Sequence, residues 1–318
     1  MRIPLLILSF MVAIPMSAHQ LPMRMWYSTP ATHFEESLPL GNGRLGALVY
    51  GGTDEDIIQL NDITLWSGKP IDRREDEGVS VWIPKIREAL FREDYKLADS
   101  LQLYVQGHNS CYYMPLGTLR IQDLSQGEVT GYHRQLSLDS AVAVTTYTRG
   151  GVAMQRQYLV SAPDKAVVVR LTGKVNVRLM LGSQLQHQVK AGKGSITMTG
   201  HATGEERETI HFCSILKVST DGRVEQDDST LTIRDAGTAT VYIVNETSFN
   251  GFDKHPVTQG APYMELAAEN MRQLEKRPFN EVLKAHVNDY KKYYDRLKLR
   301  LGEHVEESAI PSQTTLAL

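Results

Sequence analysis

Ala141-Val-Ala-Val-Thr-Thr-Tyr-Thr148 and Val152-Ala-Met-Gln-Arg-Gln-Tyr-Leu-Val160 are two runs rich in β-branched and aromatic residues, separated by Arg149-Gly-Gly151. That pattern predicts two short strands and a turn. Val142, Val144 and Thr146 alternate with Ala141, Ala143 and Thr145, too weakly to say which face is inside.

The same punctuation continues on both sides. Upstream, residues 56–61, 113–121 and 131–138 read as strands, with Leu138-Asp-Ser140 as a turn. Downstream, residues 165–171, 175–181, 194–199, 209–219, 223–225, 229–234 and 239–244 read as further strands, with a turn at Ala162-Pro-Asp164. So many short strands with regular turns predict a mainly β fold, a large antiparallel sandwich of two sheets. Two helical patterns interrupt it. Residues 81–106 carry apolar positions at helical spacing, broken at Arg92-Glu-Asp94 into two helices expected to cover a sheet or an edge. Residues 264–276 and 279–297 read as two amphipathic helices separated by Pro278, the second with a broad stripe including Val282, His286, Tyr290 and Leu297.

The densest glycine motif is Leu38-Pro-Leu-Gly-Asn-Gly-Arg-Leu-Gly-Ala-Leu-Val-Tyr-Gly-Gly52. It reads as a turn feeding a buried strand, with Arg44 at the strand's start, a bulge at Gly46 and the strand's end at Gly51-Gly52. Gln59-Leu-Asn-Asp-Ile-Thr-Leu-Trp-Ser-Gly68 follows closely enough to lie beside it, and residues 69–78 read as a charged loop.

Length and composition set the class. The chain has 318 residues, 42% hydrophobic and 22% charged, enough for a sizeable core. With 34 basic and 37 acidic residues and a net charge of −3, it carries no footprint for nucleic acid or an anionic membrane. A neutral partner or substrate is expected. Residues 1–20 combine one positive charge, a short apolar run and small residues near Ser17-Ala18, as a secretory signal peptide does, so a periplasmic or secreted location is expected. Nothing later is apolar enough for a stable membrane span. In an oxidising compartment Cys111 and Cys213 either pair or remain buried free thiols.

No nucleophile elbow, metal-ligand spacing, phosphate loop or cofactor motif is present. Gly41-Asn-Gly43 with Gly46 spells a dinucleotide fingerprint, but a strand follows where that site needs a helix. His108, His133, His187, His201 and His211 lack ligand spacing and read as ordinary hydrogen-bonded or surface residues. Asp62 and Asp253 stand among Asn, Trp and Phe, a mix that stacks a sugar's apolar face while bonding its hydroxyls. The structural alternative is that Trp66, Phe249 and Phe252 are core, while Asn61, Asp62 and Asn250 satisfy loop backbone.

These motifs, with Met114-Pro-Leu-Gly-Thr-Leu119, Tyr132-His-Arg-Gln-Leu-Ser-Leu-Asp139, Ser161-Ala-Pro-Asp164 and His286-Val-Asn-Asp-Tyr290, resemble the amino-terminal domain of glycoside hydrolase family 95. The resemblance implies a supersandwich over residues 21–260, a helical linker over 261–298 and, from 299 to 318, the start of a truncated segment. It implies inverting α-L-fucosidase or α-L-galactosidase chemistry whose general acid and water-activating residues sit in an (α/α)6 barrel after the linker. No catalytic residue is therefore carried onto this chain, which is expected to be inactive alone. The linker stripe is expected to pack on that barrel. Asn42, Arg44, Asn61, Asp62, Trp66, Asn250 and Asp253 are expected to form a wall of a composite site. The implied partner is a fucosylated glycan or the catalytic barrel, the other reading being a free-standing carbohydrate-binding or protein-interaction module.

Overall fold

The run Ala166-Val-Val-Val169 is apolar at every position because it is buried on both faces. Val167 and Val169 point into the main core, whereas Ala166 and Val168 point into a second core under two helices. This strand is the middle of a structure known from a computed structural model that describes residues 23–70, 78–106 and 111–299. The expected leader, most of the loop at 69–78 and the expected terminal segment lie outside the described residues.

In chain order the strands are β1 Arg24–Tyr27, β2 Leu38–Gly41, β3 Leu45–Val49 and β4 Glu55–Asp62; the helices α1 Trp82–Phe91 and α2 Tyr95–Gln102 follow. Then come β5 Gly117–Asp123, β6 Val129–Ser137, β7 Val142–Arg149, β8 Val152–Ser161, β9 Ala166–Gly182, β10 Gln186–Gly192, β11 Ser195–His201, β12 His211–Thr220, β13 Arg223–Gln226 and β14 Thr230–Thr247. Helices α3 Tyr263–Leu274 and α4 Phe279–Tyr294 complete the described chain. All the strand pairings are antiparallel.

Two long strands hold the layers together. The first half of β9 pairs with β8, and its second half pairs with β5. β14 runs beside it throughout, with register shifts between Ile233 and Thr238. One layer therefore runs β1-β6-β7-β8-β9-β14-β12-β11-β10, and the other runs β2-β3-β4-β5 onto the far halves of β9 and β14, with β13 on β14. Residues 165–171 and 175–181 are thus one strand, as are 229–234 and 239–244. Thr172-Gly-Lys174 and Asp235-Ala-Gly237 look like turns in sequence but carry the chain from one layer to the next. Gly173 is needed there, since at φ +122° a Cβ would lie 2.6 Å from the Ala153 carbonyl oxygen. The β7–β8 turn forms as expected, with Gly150 and Gly151 at φ +54° and +81°.

Three expectations are corrected. Gly46 makes no bulge: β2–β3 and β3–β4 pair in continuous register past it. The first part of the α4 stripe covers the sandwich itself, because the outer face of β9 and β14 is apolar and needs cover: Phe279 and Val282 pack with Ala267, Met271 and Leu274 of α3 over Val168, Tyr242 and Val244, while Leu297 is 81% exposed. Helices α1 and α2 do not cover a sheet. They pack chiefly on each other, with Ala89 and Ala98 buried while Phe91 is 88% exposed.

Candidate functional site

The β2–β3 hairpin turn is Asn42-Gly43-Arg44. Gly43 takes φ +88°, and the Asn42 carbonyl oxygen accepts the backbone N–H of Arg44 at 2.9 Å and of Leu45 at 2.7 Å. The Asn42 amide donates to the Ser161 carbonyl at 2.9 Å. With both ends of its side chain occupied, Asn42 shapes the turn that projects Arg44.

Arg44 meets two carboxylates. Its guanidinium donates to Glu246 at 2.9 and 2.6 Å, to the Asn245 carbonyl at 3.1 Å and to Asp62 at 3.3 Å. Burial works to lower its pKa, but the Glu246 and Asp62 carboxylates hold it above the usual guanidinium value. Asp62 is fully buried and also accepts the Thr64 N–H, the Thr64 hydroxyl and the Asn245 amide. Asn270 of α3 donates to Glu246 at 2.6 Å. One polar network thus ties the glycine loop, the ends of β4 and β14, and α3.

Trp66 extends from the loop that Asp62 closes. It is 40% exposed, and Phe249 and Phe252 are exposed as well, which corrects the reading of these three as core. Thr64 and Thr247 share a hydroxyl hydrogen bond at 2.6 Å, so the Trp66 loop and the loop after β14 start side by side. Asn250 and Asp253, however, bond within their own loop, to the Gln259 carbonyl at 2.8 Å and to Lys254 at 3.5 Å. Asn61 points away from Asp62 along β4 and has a buried carbonyl oxygen without a hydrogen-bond partner among the described residues. The structure therefore gathers Asn42, Arg44 and Asp62 into one network and sets Trp66 beside it, while Asn61, Asn250 and Asp253 stay outside.

Sequence reasoning missed Glu246, Asn245 and Asn270. The one signal was a charged residue ending the apolar run of β14. It also missed a buried lock between the layers, where Arg156 donates to the Gly52 carbonyl at 2.6 Å and lies 3.5 Å from Asp56, and Tyr158 donates to Asp56. Arg134 beside it donates to the Thr29 and Glu36 carbonyls at 2.8 and 2.6 Å. These groups are spent on one another and on backbone, which suits structure and not catalysis. Both cysteines are free, and burial pushes the Cys213 thiol up to about 11. His133, His187, His201 and His211 each have a hydrogen-bonding partner close by in the chain.

Residues 25–251 match the family model described as glycosyl hydrolase family 65, N-terminal domain. The chain belongs to that family. The relatives of this family 65 N-terminal domain agree with the α-fucosidase resemblance read from the motifs. It is 24% identical to "Alpha-L-fucosidase 2" of Arabidopsis thaliana, over 93% of this chain and 39% of that protein. It is 25% identical to "Probable alpha-fucosidase A" of Aspergillus niger, over 92% of this chain and 39% of that one. The domain thus spans well under half the length of these relatives. Among solved structures, a putative kojibiose phosphorylase from the human microbiome aligns at 14% identity and TM-score 0.49, over 86% of this chain and 39% of that chain.

Proposed function

We propose that this chain is the β-sandwich module of an exported α-L-fucosidase-like glycoside hydrolase that inverts configuration, and that it does not hydrolyse glycans by itself. The observation that carries this reading is the Arg44–Glu246–Asn270 junction, which fixes the glycine loop against α3, the root of the helical segment. A catalytic barrel docked beyond that segment would meet the loop end, where Arg44, Asp62 and Trp66 supply a wall of the composite site. Asn42 shapes the turn that carries Arg44, while Asn61, Asn250 and Asp253 lie outside that wall. The acids within the Arg44 network are held by internal partners, so none is free to protonate a leaving group. The partner is a barrel of the kind the longer relatives' length accommodates, together with a fucosylated glycan, and the location is periplasmic or secreted.

Co-expression with a separate catalytic barrel from an α-fucosidase relative tests this. Fucose release is expected only in the complex, with proton NMR showing the inverted anomer first; a complex that stays inactive, or a retained anomer, speaks against the reading. A second reading, a free-standing carbohydrate-binding or interaction module, gains from one observation. The Phe279–Val282 end of the α4 stripe packs on the sandwich, so that part of the stripe has a partner within this chain.

A further inference from the structure

Residues on either side of the α1–α2 arm meet in a narrow neck. Trp66 bridges Tyr113, the Ser67 N–H donates to the Tyr112 carbonyl at 2.8 Å, and the Tyr112 N–H donates to the Ser67 hydroxyl at 2.8 Å. Behind the neck the loop is closed by the Leu65 N–H on the Asp62 carbonyl at 3.0 Å. Trp66 is therefore held from both directions. Its indole N–H donates to the Ile63 carbonyl at 2.7 Å, so the ring's one polar atom is satisfied inside the loop. What it offers solvent is bare π surface.

Tyr113 stands edge-on to it, with ring centroids 6.3 Å apart at 78°. Tyr113 is 48% exposed, so this aromatic pair is an open corner and not a sealed core contact. The Tyr113 phenol is a neutral hydroxyl able to donate and accept. The Gly68 N–H donates to the Thr209 hydroxyl at 3.1 Å and seats the segment carrying Glu208 beside the neck, where the Glu208 carboxylate pairs with Lys69.

We propose that the Trp66–Tyr113 corner binds the apolar face of a neutral pyranoside, with the Tyr113 hydroxyl and the Lys69–Glu208 pair taking the ring's hydroxyls. A pyranose has a C–H face bordered by hydroxyls, which matches π surface bordered by a donor and an acceptor. The rim's charges cancel, which favours a neutral ring over an anion or a cation. Because the corner is prefixed by backbone bonds, little ordering opposes binding. This site deepens the glycosidase-module reading, on which it rests only for the expectation that fucosylated glycans are among the sugars bound.

Isothermal titration calorimetry on the full chain tests it with methyl α-L-fucopyranoside, methyl α-D-glucopyranoside and a fucosylated oligosaccharide as probes. Saturable millimolar binding of at least one is expected, weakened about tenfold or more by Trp66→Ala or Tyr113→Ala, the loss of one aromatic contact. Trp66→Phe, which keeps a ring, should weaken it less and guards against a variant that fails to fold. A folded chain that gives no heat with any of the three probes overturns the proposal, as does wild-type affinity in folded Trp66→Ala. Either failure leaves the glycosidase-module reading standing, because that is decided by hydrolysis with and without a barrel. Hydrolysis by the chain alone would instead defeat that reading and leave the corner untouched.

Discussion

Arg44 and Glu246, 202 residues apart in sequence, form a bidentate pair at 2.9 and 2.6 Å. The pair joins the first glycine-rich hairpin to the end of the longest strand, and Asn270 carries it on to α3. Folding has to align β3, β4 and β14 before this contact exists, so it reports the finished sandwich.

Removing Arg44 leaves Glu246 and fully buried Asp62 without their cation. Arg44→Ala should destabilise the chain by about 2–4 kcal/mol, below the full cost of breaking a buried pair because Arg44 is partly exposed. Arg44→Lys loses the two-pronged geometry and should cost roughly half as much. Urea unfolding checks both, and equal stability for the three proteins would mean the network is decorative.

Gly51 and Gly43 both have positive φ, at +72° and +88°, but they differ in surroundings. A Cβ on Gly51 would lie 2.8 Å from the Tyr132 hydroxyl and 3.1 Å from the Arg134 side chain, whereas Gly43 faces open space. Gly43→Ala should cost about 1–2 kcal/mol for the left-handed backbone alone. Gly51→Ala should cost more, about 3 kcal/mol, with strain on the buried lock added. Paired denaturation curves in which Gly43→Ala is the more damaging would refute the close-packing account.

Glu36 accepts the Thr32 N–H at 2.7 Å, the Thr32 hydroxyl at 3.0 Å and the His33 N–H at 3.4 Å. The Thr32 backbone bond leads the causes that hold its carboxyl below the ordinary value, against an opposing effect of burial. A lowered folded pKa means the stabilisation is present above the unfolded value, near pH 4.3, and is lost as pH falls through the folded one. Wild type should therefore lose its advantage over Glu36→Gln in acid and keep it at neutral pH. An advantage that grows on acidification has the wrong sign for this account.

Cys213 sits under α3 with its thiol raised by burial to about 11, while Cys111 is half exposed at the neck. Iodoacetamide at mildly alkaline pH should label Cys111 in the native chain and reach Cys213 only after unfolding. Mass spectrometry that finds Cys213 labelled first, or the two joined, would contradict the structure.

The strands of the central hairpins were legible because Gly150-Gly151 can hardly be anything but a reversal between two β-branched runs. The layer crossings were not. Thr172-Gly-Lys174 has the same composition whether the chain turns back or bends onward, and only pairing with β5 and β14 decides between them. The stripe on α4 announced that it packs on something large, yet periodicity names no partner; the answer depended on Val168 and Val244 facing outward. In the site, Arg44 and Asp62 were visible as charges in a glycine-rich setting, whereas Glu246 is brought to them by the ladder of distant strands. Trp66, Phe249 and Phe252 show the opposite limit, since composition does not separate a core aromatic from a displayed one.

The proposed function holds that this sandwich serves a glycosidase without being one. The most direct measurement is release of phenol from an aryl α-L-fucoside by the purified chain alone, followed over long incubation at high protein concentration. The account predicts no release above the uncatalysed rate. Robust turnover that persists through repurification would contradict it and would require an acid pair within the sandwich.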